Sequence, residues 1–209
     1  PRRTVPCALN IGIKQANGDI IMRVDAHCMV RENYVSSCVI YLERTGADNV
    51  GGPMRAVGRD YTGRAIALSH HCRFGLGGGR FHDTRCEGYV DTVYLGAWRK
   101  EVFERIGLFD ETLDRNQDIE FNARLRRNGG QIFLVPHIRS YYFCRPTLRD
   151  LWKQSFATGA WNFYTILRQP KSLSRRHFVP LAFVASLAGS ALASIFHPAA
   201  LYLLIAAAG

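Results

Sequence analysis

The sequence predicts an α/β fold, a mixed sheet flanked by helices, followed by helices directed at a membrane. Three observations predict it. Helix-period segments alternate with short apolar runs along the first two thirds of the chain. One of those runs, Ile20-Ile21-Met22-Arg23-Val24, ends on an acid, Asp25. Residues 178–196 carry no charge at all.

The elements follow in order. Residues 7–17 predict a helix with Leu9, Ile13 and Ala16 on one face and Gly18 placed to end it. Residues 20–24 predict a buried strand. Asp25 then stands at a strand's carboxyl end, where open α/β sheets bind ligands. Residues 32–44 space Val35, Cys38, Val39 and Leu42 as a helix does. A strand is expected at 48–53, a helix at 61–73, a strand at 90–95 and a helix at 99–106 stopped by Gly107. A helix over 117–128 and a strand over 131–135, stopped by Pro136, complete the pattern.

The remaining sequence points to a lipid surface. Residues 148–167 predict an amphipathic helix with Leu148, Leu151, Trp152, Phe156, Phe163 and Leu167 along one side. Eight basic residues and one acid, Asp150, lie between Arg139 and Arg176. Basic residues just before an apolar run are the positive-inside signal, and a Trp-bearing face beside Lys and Arg suits the membrane interface; the alternative for 148–167 is a surface helix packed on the domain. The uncharged run 178–196 has the length of a span and carries Ala185, Gly189 and Ala193 at small-xxx-small spacing. His197-Pro198 breaks it, and 199–208 are expected to begin a second span. The expected organisation is a catalytic domain over 1–146, an amphipathic and basic segment over 147–177, and membrane helices over 178–209.

Composition narrows the partners. The chain has 209 residues and a formal net charge of +10, which favours anionic partners. No helix-turn-helix, zinc-finger or arginine-rich arm is present, so nucleic acid is not expected. The six cysteines form no CxxC pair and are expected to be reduced and mostly buried. His70, His71, Cys72, His82 and Cys86 match no zinc spacing. Gly75-Leu76-Gly77-Gly78-Gly79 lacks the Lys-Ser/Thr of a P-loop. Pro1 and Gly209 suggest an internal fragment.

Two constellations carry chemistry. In Asp25-Ala26-His27 a carboxylate and an imidazole can converge where a strand ends in a turn, the alternative being a solvated turn. A hard divalent cation takes the carboxylate, and imidazole suits Mn²⁺ better than Mg²⁺. In Gln117-Asp118-Ile119-Glu120, Asn116 is placed to cap a helix, so Asp118 lies in its first turn. The helix dipole favours an ionised carboxylate there, as a general base requires.

These motifs resemble family 2 glycosyltransferases with the GT-A fold. Asn10-x-Gly12, Ala16-x-Gly18-Asp19-Ile20-Ile21 and Asp25-Ala26-His27 are similar to that family's donor half. Gly96-Ala97-x-Arg99-x-x-x-Phe103-x-x-Ile106-Gly107-x-Phe109-Asp110-Glu111 is similar to its acceptor segment, and Asp118 follows where the family carries its base. The resemblance covers roughly residues 4–145. It is nearest to the glucosyltransferases of succinoglycan-type exopolysaccharide assembly, through Arg23-Val24-Asp25-Ala26-His27 and Arg115-Asn116-Gln117-Asp118.

The resemblance implies a GT-A-like, Rossmann-like mixed sheet whose N-terminal strand or strands are missing. It implies an inverting transfer of a sugar, expected to be glucose, from a UDP-sugar to a polyprenyl-diphosphate-linked glycan at the bacterial inner membrane, the catalytic domain being cytoplasmic. Asp25 would hold the metal-diphosphate, with His27 as the second ligand of a Mn²⁺ or Mg²⁺ ion. Asp118 would be the base, and Glu120 would position the acceptor or support Asp118. Arg99 would either meet the donor's phosphates or be solvated. The Gln-x-x-Arg-Trp motif of processive synthases is missing, which favours transfer of single sugars. The alternatives are a processive synthase and a non-catalytic membrane scaffold with the same fold.

Overall fold

The computed structural model describes residues 3–72 and 78–197. The chain divides into two compact units, Pro1–Leu173 and Ser174–Gly209. The expected second span, and all but the last two glycines of the Gly75–Gly79 run, lie outside the described residues.

The first unit opens with helix α1 (Val5–Gln15), which carries a proline in its first turn and buries Asn10 and Ile13. Strand β1 (Ile20–Met22) leads through the Asp25 turn into β2 (Cys28–Val30). Helix α2 (Tyr34–Thr45) buries Tyr34, Cys38 and Leu42, one residue per turn, and Gly46 ends it at φ 65°. Strands β3 (Asn49–Gly52) and β4 (Met54–Val57) follow, separated by Pro53. Helix α3 (Tyr61–His71) is capped by Asp60, which accepts from the Gly63 amide at 2.6 Å. Then come β5 (Gly88–Tyr89), β6 (Tyr94–Arg99), α4 (Lys100–Ile106), α5 (Gln117–Arg127), β7 (Ile132–Leu134), β8 (Ser140–Phe143) and α6 (Leu148–Arg168).

Five strands form a mixed sheet in the order β1-β6-β3-β7-β5, with β3 and β7 parallel and the other pairs antiparallel. Residues alternate across it. Trp98 joins one buried cluster with Phe103, Phe109, Phe121 and Leu125, while its neighbour Ala97 joins another with Tyr34, Cys38 and Leu42. The sheet is therefore a middle layer, with α4 and α5 on one face and α2 on the other.

A second sheet, order β2-β8-β4, was not read from sequence. It forms because β1, β3 and β7 each leave the main sheet and continue as β2, β4 and β8. The strand expected at 90–95 lies four residues later, at 94–99. Leu95 and Gly96 take φ 67° and 93°, and the β3–β6 register shifts there, so a bulge breaks the alternation. Gly96 is required: a Cβ would stand 2.6 Å from the Trp98 ring and 2.8 Å from Asn49 Oδ1. The six cysteines are free, but only Cys7 and Cys38 are buried, and Cys72 is exposed. At Cys38, burial pushes the thiol up to about 12.

The second unit contains a 3₁₀ turn (Arg175–Phe178) and helix α7 (Val179–Phe196), none of whose residues is buried. By length and composition, Arg175–Phe196 is the one candidate span among the described residues.

Candidate active site

Asp25-Ala26-His27 lies where the chain crosses from one sheet to the other. The Cys28 amide donates to Asp25 O at 3.1 Å, closing a β-turn, and Cys28 Sγ meets the same oxygen at 2.9 Å. Asp25 is one-fifth exposed, and His27 is exposed with its ring edge-on to Tyr142 at 5.4 Å. His27 also borders a cavity of ≈ 650 Å³ shared with Arg59 and Phe143.

Asp118 reaches the same place from α5. Its side chain is half exposed, and Oδ1 accepts from the Ile119 amide at 2.9 Å. The link between Asp25 and Asp118 is Arg23, which sequence reasoning did not assign to the site. Arg23 Nε and Nη2 fork onto the two oxygens of Asp25 at 2.7 and 3.1 Å, and Nη1 lies 3.9 Å from Asp118 Oδ2. Burial alone would lower the Arg23 pKa, but the charges of Asp118 and Asp25 outweigh it and hold the guanidinium above the ordinary arginine value. The Gly96 bulge helps seat Arg23, because the Arg23 amide donates to Gly96 O at 3.2 Å.

Two expected site residues lie elsewhere. Arg99 pairs with Ile20 across β6 and β1, so it stands at the end of β1 opposite Asp25. Its guanidinium donates to Leu42 O at 3.2 Å, in the last turn of α2, and does not reach the site's carboxylates. Glu120 is 2% exposed and pairs with Arg124 through both oxygens at 2.9 Å. Arg124 also donates to Ile106 O and Leu108 O. Glu120 thus fastens α5 to the segment after α4, and its place two residues after Asp118 turns its side chain to the opposite side of the helix, about 200° away.

Asn116 also departs from expectation. It occupies the N-cap of α5 at φ 63°, but its side chain makes no cap. It donates instead to Asn162 Oδ1 at 2.9 Å and Thr165 Oγ1 at 3.1 Å on α6. Helix α6 also meets the other half of the site, where Gln154 Nε2 donates to the Tyr142 hydroxyl at 3.3 Å. Asn10, part of the motif in α1, clasps the backbone of Phe109, donating to its carbonyl at 2.9 Å and accepting from its amide at 3.0 Å.

A divalent cation fits the donor set in one way. Among the described residues no group of three or more His, Cys, Asp or Glu side chains gathers to hold an ion. Asp25 and His27 would be the protein's donors, and a cation there would need its remaining oxygens from a diphosphate and water, as Mg²⁺ and Mn²⁺ sites on nucleotides do. Each Asp25 oxygen has a second lone pair beyond the one given to Arg23.

Known proteins resemble this chain in sequence and in fold. Residues 3–107 match the sequence model of Glycosyl transferase family 2. The succinoglycan biosynthesis protein ExoA of Rhizobium meliloti is 28% identical over 93% of this chain and 59% of its own length. A dolichyl N-acetyl-alpha-D-glucosaminyl phosphate 3-beta-D-2,3-diacetamido-2,3-dideoxy-beta-D-glucuronosyltransferase of Methanococcus voltae is 26% identical over 73% of this chain and 49% of its own. This chain therefore spans about half to three-fifths of the curated relatives it matches. A crystal structure of GalNAc-T7 with UDP, GalNAc and Mn²⁺ superposes with a TM-score of 0.51 at 18% identity, over 69% of this chain and 31% of that one, which shows a shared fold.

Proposed function

Because this chain belongs to glycosyl transferase family 2, we propose that it carries the catalytic site of an inverting hexosyltransferase acting at a bacterial plasma membrane. The donor is a UDP-sugar, expected to be UDP-glucose, and the acceptor is a glycan on an isoprenoid phosphate or diphosphate. The observation that carries this reading is the placement of Asp25 and Asp118 on either side of one guanidinium, Arg23.

Asp118 takes the proton of the acceptor hydroxyl as that oxygen bonds to the anomeric carbon. The bond from that carbon to the diphosphate oxygen breaks, and its electron pair leaves with the nucleoside diphosphate. Asp25 and His27 would hold a divalent cation, which when bound would supply Lewis-acid stabilisation of the diphosphate charge. Arg23 keeps Asp25 oriented and sets a positive charge beside Asp118.

The membrane part of the reading rests on α6 and the basic segment. Leu148, Trp152, Phe156, Phe163 and Leu167 are each about two-thirds exposed or more. At 3.6 residues per turn they share an arc of about 100°. The face of α6 packed on the domain is the polar one, with Gln154, Asn162 and Thr165. A soluble amphipathic helix turns its apolar stripe inward, whereas a helix with the stripe outward suits a lipid interface. Positive charge from Arg139 to Arg176 orients the domain toward the cytoplasm.

The test uses the full-length protein in detergent with a panel of labelled nucleotide sugars and an isoprenoid-linked sugar acceptor, with Mn²⁺, Mg²⁺ or EDTA. One sugar added per acceptor, with activity restored by the metal, supports the reading. A polymeric ladder points to a processive synthase, and no transfer or donor hydrolysis under any condition points to a scaffold.

A further inference from the structure

Between the start of α5 and the first turns of α6 lies a second cavity, of ≈ 390 Å³, that the chemistry above does not use. Arg115, Arg145 and Lys153 line it, with Asp150 and Gln154. The cavity adjoins both halves of the site. Arg115 lies just before the α5 N-cap, and Gln154 contacts Tyr142, whose ring lies on His27.

Its charge is unbalanced. Asp150 is engaged locally, accepting from Thr147 Oγ1 at 2.7 Å. Arg145 Nε donates to the neutral Gln154 at 3.0 Å. Among the described residues the arginine ion pairs fall on Arg23, Arg85, Arg105 and Arg124, and none involves Arg115, Arg145 or Lys153. Three cations against the single carboxylate of Asp150 leave the cleft with an excess of positive charge that an entering anion would offset. Guanidinium groups bind phosphate through two parallel hydrogen bonds, and an ammonium adds a point charge.

We propose that this cleft holds the phosphate or diphosphate joining the acceptor sugar to its lipid. The inference rests on the transfer reaction above and assigns that reaction an acceptor site. In this assignment the lipid would run along the exposed Trp152 and Phe156 of α6, and the sugar would lie toward Asp118, three residues after Arg115. The phosphate contacts fix the distance from the membrane to the reacting hydroxyl, which lowers the entropy cost of the encounter.

The experiment compares the full-length protein with its Arg145→Gln/Lys153→Gln variant. Two acceptors carry the same sugar, one on an isoprenyl diphosphate and one as an alkyl glycoside without phosphate, both in detergent micelles. Binding to vesicles of phosphatidylcholine with phosphatidylglycerol is measured alongside. The expected result is a rise in KM for the diphosphate acceptor of about tenfold or more, the scale of one or two charge-assisted contacts. The KM for the alkyl glycoside, the KM for the donor and the rate of donor hydrolysis stay within about twofold of the parent, which also shows the variant is folded. Equal changes for both acceptors, or no change for either, overturn the assignment. So does a loss confined to anionic vesicle binding, which assigns the cleft to lipid headgroups. A parent protein that transfers to neither acceptor overturns the underlying reaction instead.

Discussion

Arg23 lies against Asp118, with its Nη1 3.9 Å from Asp118 Oδ2, while the rest of the guanidinium forks onto Asp25. The side chain of Arg23 is 13% exposed, so this contact is shielded from solvent on the arginine side. One cation thus couples the turn proposed to hold the donor diphosphate to the carboxylate proposed to take the acceptor proton.

Replacing Arg23 tests that coupling. Arg23→Gln leaves Asp25 partly buried without its charged partner and is expected to cost roughly 1–3 kcal/mol of stability. Arg23→Lys keeps the charge but not the fork and is expected to recover only part of the loss. Urea unfolding read beside kcat gives both quantities. Wild-type stability and rate in Arg23→Gln would remove the arginine from the site.

The proposed metal ligands, Asp25 and His27, make a separate prediction. Asp25→Asn is expected to abolish metal-dependent donor binding. His27→Asp replaces imidazole with a harder ligand, so the ratio of Mg²⁺-supported to Mn²⁺-supported activity is expected to rise. Titrating each metal against initial rate measures that ratio, and an unchanged ratio in His27→Asp would place the imidazole outside the coordination sphere.

Glu120 is expected to behave as a structural residue. Removing one member of a buried pair costs about 3–5 kcal/mol, so Glu120→Gln lowers the melting temperature markedly. The folded fraction retains kcat within about tenfold, unlike a change at a general base. Thermal unfolding combined with active-site titration separates the two effects.

The part of the site legible in sequence was the part set locally. Asp25 and His27 belong to one turn, Asp118 to one first helical turn, and the Cys38–Leu42 stripe to one helix face. Arg23 was present in the quoted motif but unassigned, because its contact with Asp118 depends on how β1 and α5 meet at the sheet edge. The second sheet escaped because β2, β4 and β8 have only three or four residues each, too few to show a period. For α6 the apolar stripe was visible, but only the hydrogen bonds of its polar side, accepted from Asn116 and donated to Tyr142, reveal which face packs on the domain.

Acid sensitivity follows from His70. This ring is 9% exposed, stacked on His82 at 5.9 Å and edge-on to Tyr142 at 5.8 Å. Burial, with a smaller contribution from His71, holds its pKa below the ordinary 6.5. The unfolded chain therefore takes up the proton first. Stability is full above pH 6.5 and falls as pH drops from there toward the folded-state pKa. Melting temperatures at pH 7.5 and 5.5 are expected to differ less in His70→Gln than in the parent, and an equal difference in both would place the titrating group elsewhere.

The most direct measurement is single-sugar transfer by full-length Asp118→Asn, with nucleotide-sugar affinity measured by calorimetry on the same sample. The expected result is a fall in transfer of about a hundredfold or more, with the donor Kd within about twofold of the parent. Transfer near the parent rate, with the donor still bound, would contradict the assignment of Asp118 as the base and with it the site built around Arg23.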